Sequence, residues 1–123
     1  MTPPGGDNIM SDCLFCKIIA GEIPAEKVYE DDHVLAFNDI NPQAPTHVLV
    51  VTKKHISTSN DITEEDEKIV GKLSTAAAKI AHERGIEGSG YRTVMNCNSD
   101  SGQMVFHIHM HMLGGRKLTW PPG

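Results

Sequence analysis

Long apolar runs are missing from this 123-residue sequence, and so is any excess of positive charge. Nothing approaches the ~20 apolar residues that cross a bilayer, so no membrane partner is expected. The first ten residues are rich in Pro, Gly, Asp and Asn and have no basic stretch followed by an apolar core. They read as no secretion signal, and a mobile N-terminal arm is expected over 1–10 with one folded domain over 11–123. The formal charge of −5 argues against a broad nucleic-acid-binding surface while leaving room for a local anion site. Cysteine is scarce and odd in number: Cys13, Cys16 and Cys97 suggest no disulfide framework. With no secretion signal, a reducing, cytoplasmic location is the simpler expectation. Hydrophobic content of 39% and charged content of 22% are those of an ordinary soluble domain.

What the chain does have is Val105-Phe106-His107-Ile108-His109-Met110-His111-Met112-Leu113. A strand points alternate side chains to opposite faces, so His107, His109 and His111 are expected on one face and the apolar residues on the other. At ~3.3 Å per residue, His107 and His111 lie about 13 Å apart, too far to share one metal on an extended strand. A metal held by two neighbouring imidazoles remains open. So does a central nucleophile whose flanking imidazoles orient it and move protons.

The rest of the sequence supplies a frame for that strand. Ser11 or Asp12 can cap a short helix over 13–20, ended by Gly21 and Pro24. Residues 27–29 and 33–37 read as a hairpin around an acidic turn, and Thr46–Thr52 as a central strand. Asp61 or Thr63 can start the one long helix, whose apolar stripe is Ile69, Val70, Leu73, Ala76, Ala77 and Ile80. Its N-terminal carboxylates complement the helix dipole and need no catalytic role. A further strand is expected over 91–96, followed by a polar loop over 97–103. The sum is an α+β fold: a five-stranded antiparallel sheet with one long and one short helix.

The polar loop ends in Gly102-Gln103, where backbone N–H groups can meet an anion beside the histidines. Asn96 can add a side-chain donor. Phe15, Ile18, Phe37 and Ile40 can line a pocket for a flat base, or simply fill the core. Cys13-x-x-Cys16 has chelate spacing, with two buried thiols as the plain alternative.

His107-Ile108-His109-Met110-His111-Met112-Leu113 fits a His-φ-His-φ-His-φ-φ signature, φ being apolar. With Ile23-Pro24-Ala25, Ala36-Phe37, Asp39-Ile40, 42–47, Lys53-Lys54-His55-Ile56, Gly102-Gln103, Gly114-Gly115-Arg116 and Trp120-Pro121-Pro122-Gly123, it resembles the histidine-triad (HIT) proteins, in particular their Hint branch of nucleotide-binding phosphoramidases. The resemblance runs over roughly residues 11–123. It implies that His109 attacks the α-phosphorus and forms a nucleotidyl-histidine, that His111 contacts the phosphate and assists proton transfer, and that His107 and His47 orient the imidazoles. It places Asp39 and Ile40 at the ribose and base, and Asn96, Gly102, Met104 and Val105 around the phosphate. It also implies a homodimer with a continuous sheet, in which Trp120 of one subunit approaches the other's pocket.

The expected substrate is a purine nucleoside 5′-phosphoramidate, cleaved at its P–N bond to release AMP, with no cofactor needed for catalysis. Some relatives hold a structural zinc at positions matching Cys13, Cys16, His55 and His107, whereas many Hint members lack the cysteines. Many relatives also carry Ser where this chain has Met104, which has no hydroxyl to offer phosphate or leaving group. Three other functions stay open: hydrolysis or transfer on dinucleoside polyphosphates, a nucleotide-dependent interaction module, and a catalytic three-His metal centre.

Overall fold

A computed structural model describes residues 12–123. The arm expected over 1–10, and Ser11 as a helix cap, lie outside the described residues. The first helix, α1, spans Leu14–Ile19, and its cap is Cys13, whose Sγ accepts from the Cys16 N–H at 3.4 Å. Asp12 instead lies exposed ahead of it. Gly21, at φ +80, ends the helix as expected.

Strands β1 (Lys27–Glu30) and β2 (Val34–Asn38) form the expected hairpin. The Asp31 carboxylate closes its turn by accepting from the N–H groups of His33 and Val34. Strand β3 (Thr46–Thr52) is buried along all seven residues, which explains its continuous apolar middle. Two capped 3₁₀ turns follow, at Ser59–Asp61 and Glu64–Asp66. Asp61 belongs to the first, in a capping box with Thr58, while Thr63 and Asp66 form the box that leads into the long helix α2 (Glu67–Glu83). β4 (Tyr91–Val94), one helical turn α3 (Asn98–Ser101) and β5 (His109–Gly114) complete the chain.

The five strands are antiparallel in the order β1-β2-β3-β5-β4. Each face has its own cover. On one side Leu73, Ala76, Ala77 and Ile80 of α2 pack on Val34, Ala36, Val48, Val50, Met110 and Met112. On the other, Phe15 and Ile18 of α1 pack on Leu35, Phe37, Leu49 and Val51. His109 pairs with Val51 and His111 with Leu49, and His47 shares that side by the two-residue period. The α1 face therefore carries His47, His109 and His111 together.

Two expected strands are shorter than the sequence pattern suggests. β4 stops at Val94, and the loop after it winds into α3, closed by Gly102 at φ +92. The histidine strand is regular only from His109 onward. Before it, the Ile108 N–H donates to the carbonyl of Ile56 at 2.7 Å, and the His107 ring bonds the carbonyl of Thr52. The Ile56 carbonyl thus takes a backbone N–H that a longer strand would use in its ladder.

Leu73 is fully buried where α2 meets the sheet. Leu73→Ala should cost about 3 kcal/mol through lost transfer and the cavity left behind, read as a lower midpoint in urea unfolding with an unchanged slope. A loss below about 1 kcal/mol would show that α2 is not packed this way.

Candidate active site

The site is built from imidazoles whose proton positions follow from their partners. His109 Nδ1 lies 2.7 Å from the carbonyl of His107. A carbonyl only accepts, so Nδ1 carries the hydrogen and Nε2 keeps its lone pair. The ring stands edge-on to Phe15, with centroids 5.0 Å apart, and tilted against His111 at 5.1 Å. His109 is buried, and burial holds its pKa below the ordinary histidine value, although the His107 carbonyl and Asp39 pull upward.

A second pair sits beside it. The Gln43 N–H donates to His47 Nδ1 at 3.0 Å, so a neutral His47 carries its hydrogen on Nε2. That Nε2–H faces His111 Nδ1 at 2.9 Å and, at longer range, the Asp39 carboxylate at 3.4 Å. His111 consequently accepts at Nδ1 and carries its own hydrogen on Nε2. Burial, with His109 and His47 alongside, lowers its pKa to about 4. Both imidazoles on β5 are therefore neutral at neutral pH, one offering a lone pair and the other an N–H.

His107 precedes the regular strand, yet its ring lies on the α1 side with that of His109, both edge-on to Phe15. Its ring is fully buried and donates from Nε2 to the Thr52 carbonyl at 2.6 Å. Burial takes its pKa down to about 4 against that bond. The Nδ1 lone pair points at Cys13 Sγ (3.3 Å) and Cys16 Sγ (3.6 Å), and Cys16 Sγ lies 3.3 Å from His55 Nδ1. His107 contacts His109 through its main-chain carbonyl, and its ring serves a different cluster.

The donor atoms of Cys13, Cys16, His55 and His107 all lie within 4.8 Å of one another. Tetrahedral zinc bonds to sulfur and imidazole imply donor separations of about 3.3–3.8 Å, so the contacts fit such an ion. The Thr52 carbonyl fixes the tautomer a ligand at His107 Nδ1 needs. Burial, with Cys13 beside it, pushes the Cys16 thiol up to about 12, a cost that a bound cation would relieve. Asp39, His47 and His111 also come within 4.8 Å, but there His47 Nε2 carries a hydrogen because Nδ1 accepts from Gln43. That trio is a hydrogen-bond node and suits a metal poorly.

A cleft of about 430 Å³ opens next to the imidazoles. Phe15, Ile18, Phe37, Asp39 and Ile40 line it, as sequence had suggested, together with Leu14, Ile23, Pro24, Ala25, Glu26, Asn38 and Leu49, which it had not singled out. Asn96 is half-buried beyond β4, and Val105 packs beside the α1 cluster. Met104 and Trp120 are exposed, at 89% and 80%. Gln103 ties the loop down: its amide accepts from the Asn98 N–H and donates to the carbonyls of Ser57 and Val105. Gln43 acts through its main chain, a role no side-chain pattern signals.

A family model described as the HIT domain matches residues 20–118. The purine nucleoside phosphoramidase of Escherichia coli K12 is 53% identical over 107 residues, covering 87% of this chain and 90% of that protein. A HIT family hydrolase from Legionella pneumophila superposes with a TM-score of 0.89 at 55% identity, over 90% of this chain and 99% of that one. A histidine triad protein from Clostridium difficile gives 0.85 at 54% identity, over 88% and 94%. A matched model over most of the chain, relatives above half identity and a shared five-stranded fold agree: the chain belongs to the HIT domain family.

Proposed function

We propose that the protein is a purine nucleoside phosphoramidase that cleaves the P–N bond of purine nucleoside 5′-phosphoramidates and releases AMP. The observation that carries this reading is the His109 Nδ1–H held by the His107 carbonyl, which leaves a neutral Nε2 lone pair. The name of the Escherichia coli relative supports it.

In this reading the apolar cleft takes the purine between Phe15, Ile18, Phe37 and Ile40, and Asp39 takes the ribose hydroxyls. Asn96 and the backbone around Gly102, Met104 and Val105 hold the phosphate oxygens. His109 Nε2 attacks the α-phosphorus, and the P–N bond breaks with its electron pair left on nitrogen. That nitrogen takes up one proton from water in the cleft and departs as the amine. His111 Nε2–H is the hydrogen-bond donor assigned to the departing group and its phosphate, and keeps its proton. The nucleotidyl-histidine is cationic and keeps its Nδ1–H on the His107 carbonyl. Water then attacks phosphorus, the P–Nε2 bond breaks, AMP leaves, and one proton is released.

A zinc ion held by Cys13, Cys16, His55 and His107 would be structural, cross-linking α1 to the 55–57 segment and to the approach to β5. Exposed Trp120 suits a homodimer in which the tail of each subunit reaches the other's cleft. A cytoplasmic location belongs to the same reading. No described helix is long and apolar enough to cross a membrane.

Three outcomes test it. His109→Asn should lose at least about 10³-fold in turnover of adenosine phosphoramidates while AMP affinity, by calorimetry, stays within a few-fold. An unmodified protein with no such turnover, or one that prefers diadenosine polyphosphates in a parallel assay, sinks the assignment.

Because the His109 and His111 values are depressed, the neutral forms persist well below the ordinary histidine range. The expected kcat/KM is level through neutral pH and falls only below the ordinary histidine range, as the nucleophile gains a proton. An acid limb centred at or above the ordinary value would contradict it.

Elemental analysis should find one zinc per chain, lost in Cys16→Ser together with several degrees of thermal stability. Variant protein that stays folded should still turn over substrate. Metal-free unmodified protein with unchanged thermal stability would refute the structural zinc.

A further inference from the structure

Arg116 follows β5 and reaches back to the loop that carries His47. Its Nε and Nη2 both donate to the carbonyl of Gln43, each at 3.1 Å, and its Nη1 donates to the carbonyl of Lys117 at 3.0 Å. Gly115 makes the approach possible. It sits at φ +90, and a Cβ there would lie 2.9 Å from Cβ of Pro45. The two segments close so tightly that Gln43 is held from its C=O side by a guanidinium. Its N–H donates to His47 Nδ1 at 3.0 Å.

That N–H has a consequence for the reacting groups. The His47–His111 hydrogen bond contains one hydrogen between two ring nitrogens, and in isolation it can run in either direction. With Gln43 donating to His47 Nδ1, the hydrogen sits on His47 Nε2, and His111 shows its Nε2–H. Without that donor, His47 can move its hydrogen to Nδ1 and accept from His111 Nδ1–H. His111 Nε2 is then a bare lone pair, repelled by phosphate oxygens and unable to donate to a departing nitrogen. Asp39 favours the first arrangement too, but at 3.4 Å, and its carboxylate is the group assigned above to the ribose.

The geometry points to Arg116 as a positioning residue: by clamping the Gln43 carbonyl it keeps the Gln43 N–H on His47 and so fixes which nitrogen of His111 carries the hydrogen. Its effect on turnover rests on the phosphoramidase reading, whereas the clamp itself does not. Arg116 is exposed and acts only through Gln43 and His47.

The test pairs Arg116→Ala with ¹⁵N spectroscopy of the imidazoles in the full chain. The unmodified protein should show unprotonated Nδ1 and protonated Nε2 in both His47 and His111. In Arg116→Ala the two nitrogens of each ring should shift toward one another, and kcat should fall about tenfold with KM within about twofold. Arg116→Lys, which can still donate to the Gln43 carbonyl, should recover the original nitrogen pattern and most of kcat. If Arg116→Ala does not fold, Arg116→Met, with a similar stem and no donor, is read the same way.

Unchanged nitrogens in a folded donorless variant overturn the proposal. So does a shifted pattern with unchanged kcat, or a folded lysine variant that recovers neither. An unmodified protein without phosphoramidase turnover sinks only the function assigned above, because the nitrogen pattern still decides the clamp.

Discussion

The hydrogen bond from His109 Nδ1–H to the main-chain carbonyl of His107 sets the terms for the rest of the site. A side-chain acceptor would have its own rotamers and its own titration; a carbonyl fixed in the backbone has neither. It selects one tautomer, aims the ring and leaves Nε2 free. The carbonyl is available because residues 105–108 do not join the sheet. Ile108 donates to Ile56, and the His107 ring reaches Thr52. Had the strand run regularly from Val105, the same carbonyl could have been taken up in the ladder with a neighbour.

Burial then gives that bond its chemical meaning. Phe15 stands edge-on to both His107 and His109, so α1 covers the imidazoles with the same aromatic ring that lines the cleft. Removing water disfavours the imidazolium, which keeps the lone pair available at neutral pH. The helix that completes the apolar core on this side of the sheet therefore also tunes the basicity of His109. A substitution at Phe15 acts on packing, cleft shape and basicity at once, and the three effects cannot be expected to add independently.

Much of this was legible in the sequence, and the limits have physical causes. The two-residue period placed His109 and His111 on one face because alternation is a property of the local backbone. Thr46–Thr52 read as a central strand because both its faces are apolar. The partners of His107 were legible only through the family resemblance, because its environment is set by Ile56 and Thr52, about fifty residues away in the chain. The same holds for Gln43, whose contribution is a backbone N–H that every non-proline residue possesses. Cys13 and Cys16 suggested a chelate by spacing, the resemblance named His55 and His107 beside them, and the fold brings the four together. Periodicity reveals faces, and tertiary contacts decide what each face touches.

Residue 107 joins the two clusters while keeping their chemistries apart. Its ring belongs to the cysteine side and its carbonyl to His109, and the peptide backbone and the ring of Phe15 link the two. An ion on the ring would be felt at His109 as a change in carbonyl position, not as a ligand to the reacting atoms. A metal ion held through the His107 ring, two residues from His109, would therefore not compete for the His109 Nε2 lone pair. The carbonyl that His109 uses belongs to a residue whose side chain is itself held by Thr52 and the two cysteines, which keeps that carbonyl in place.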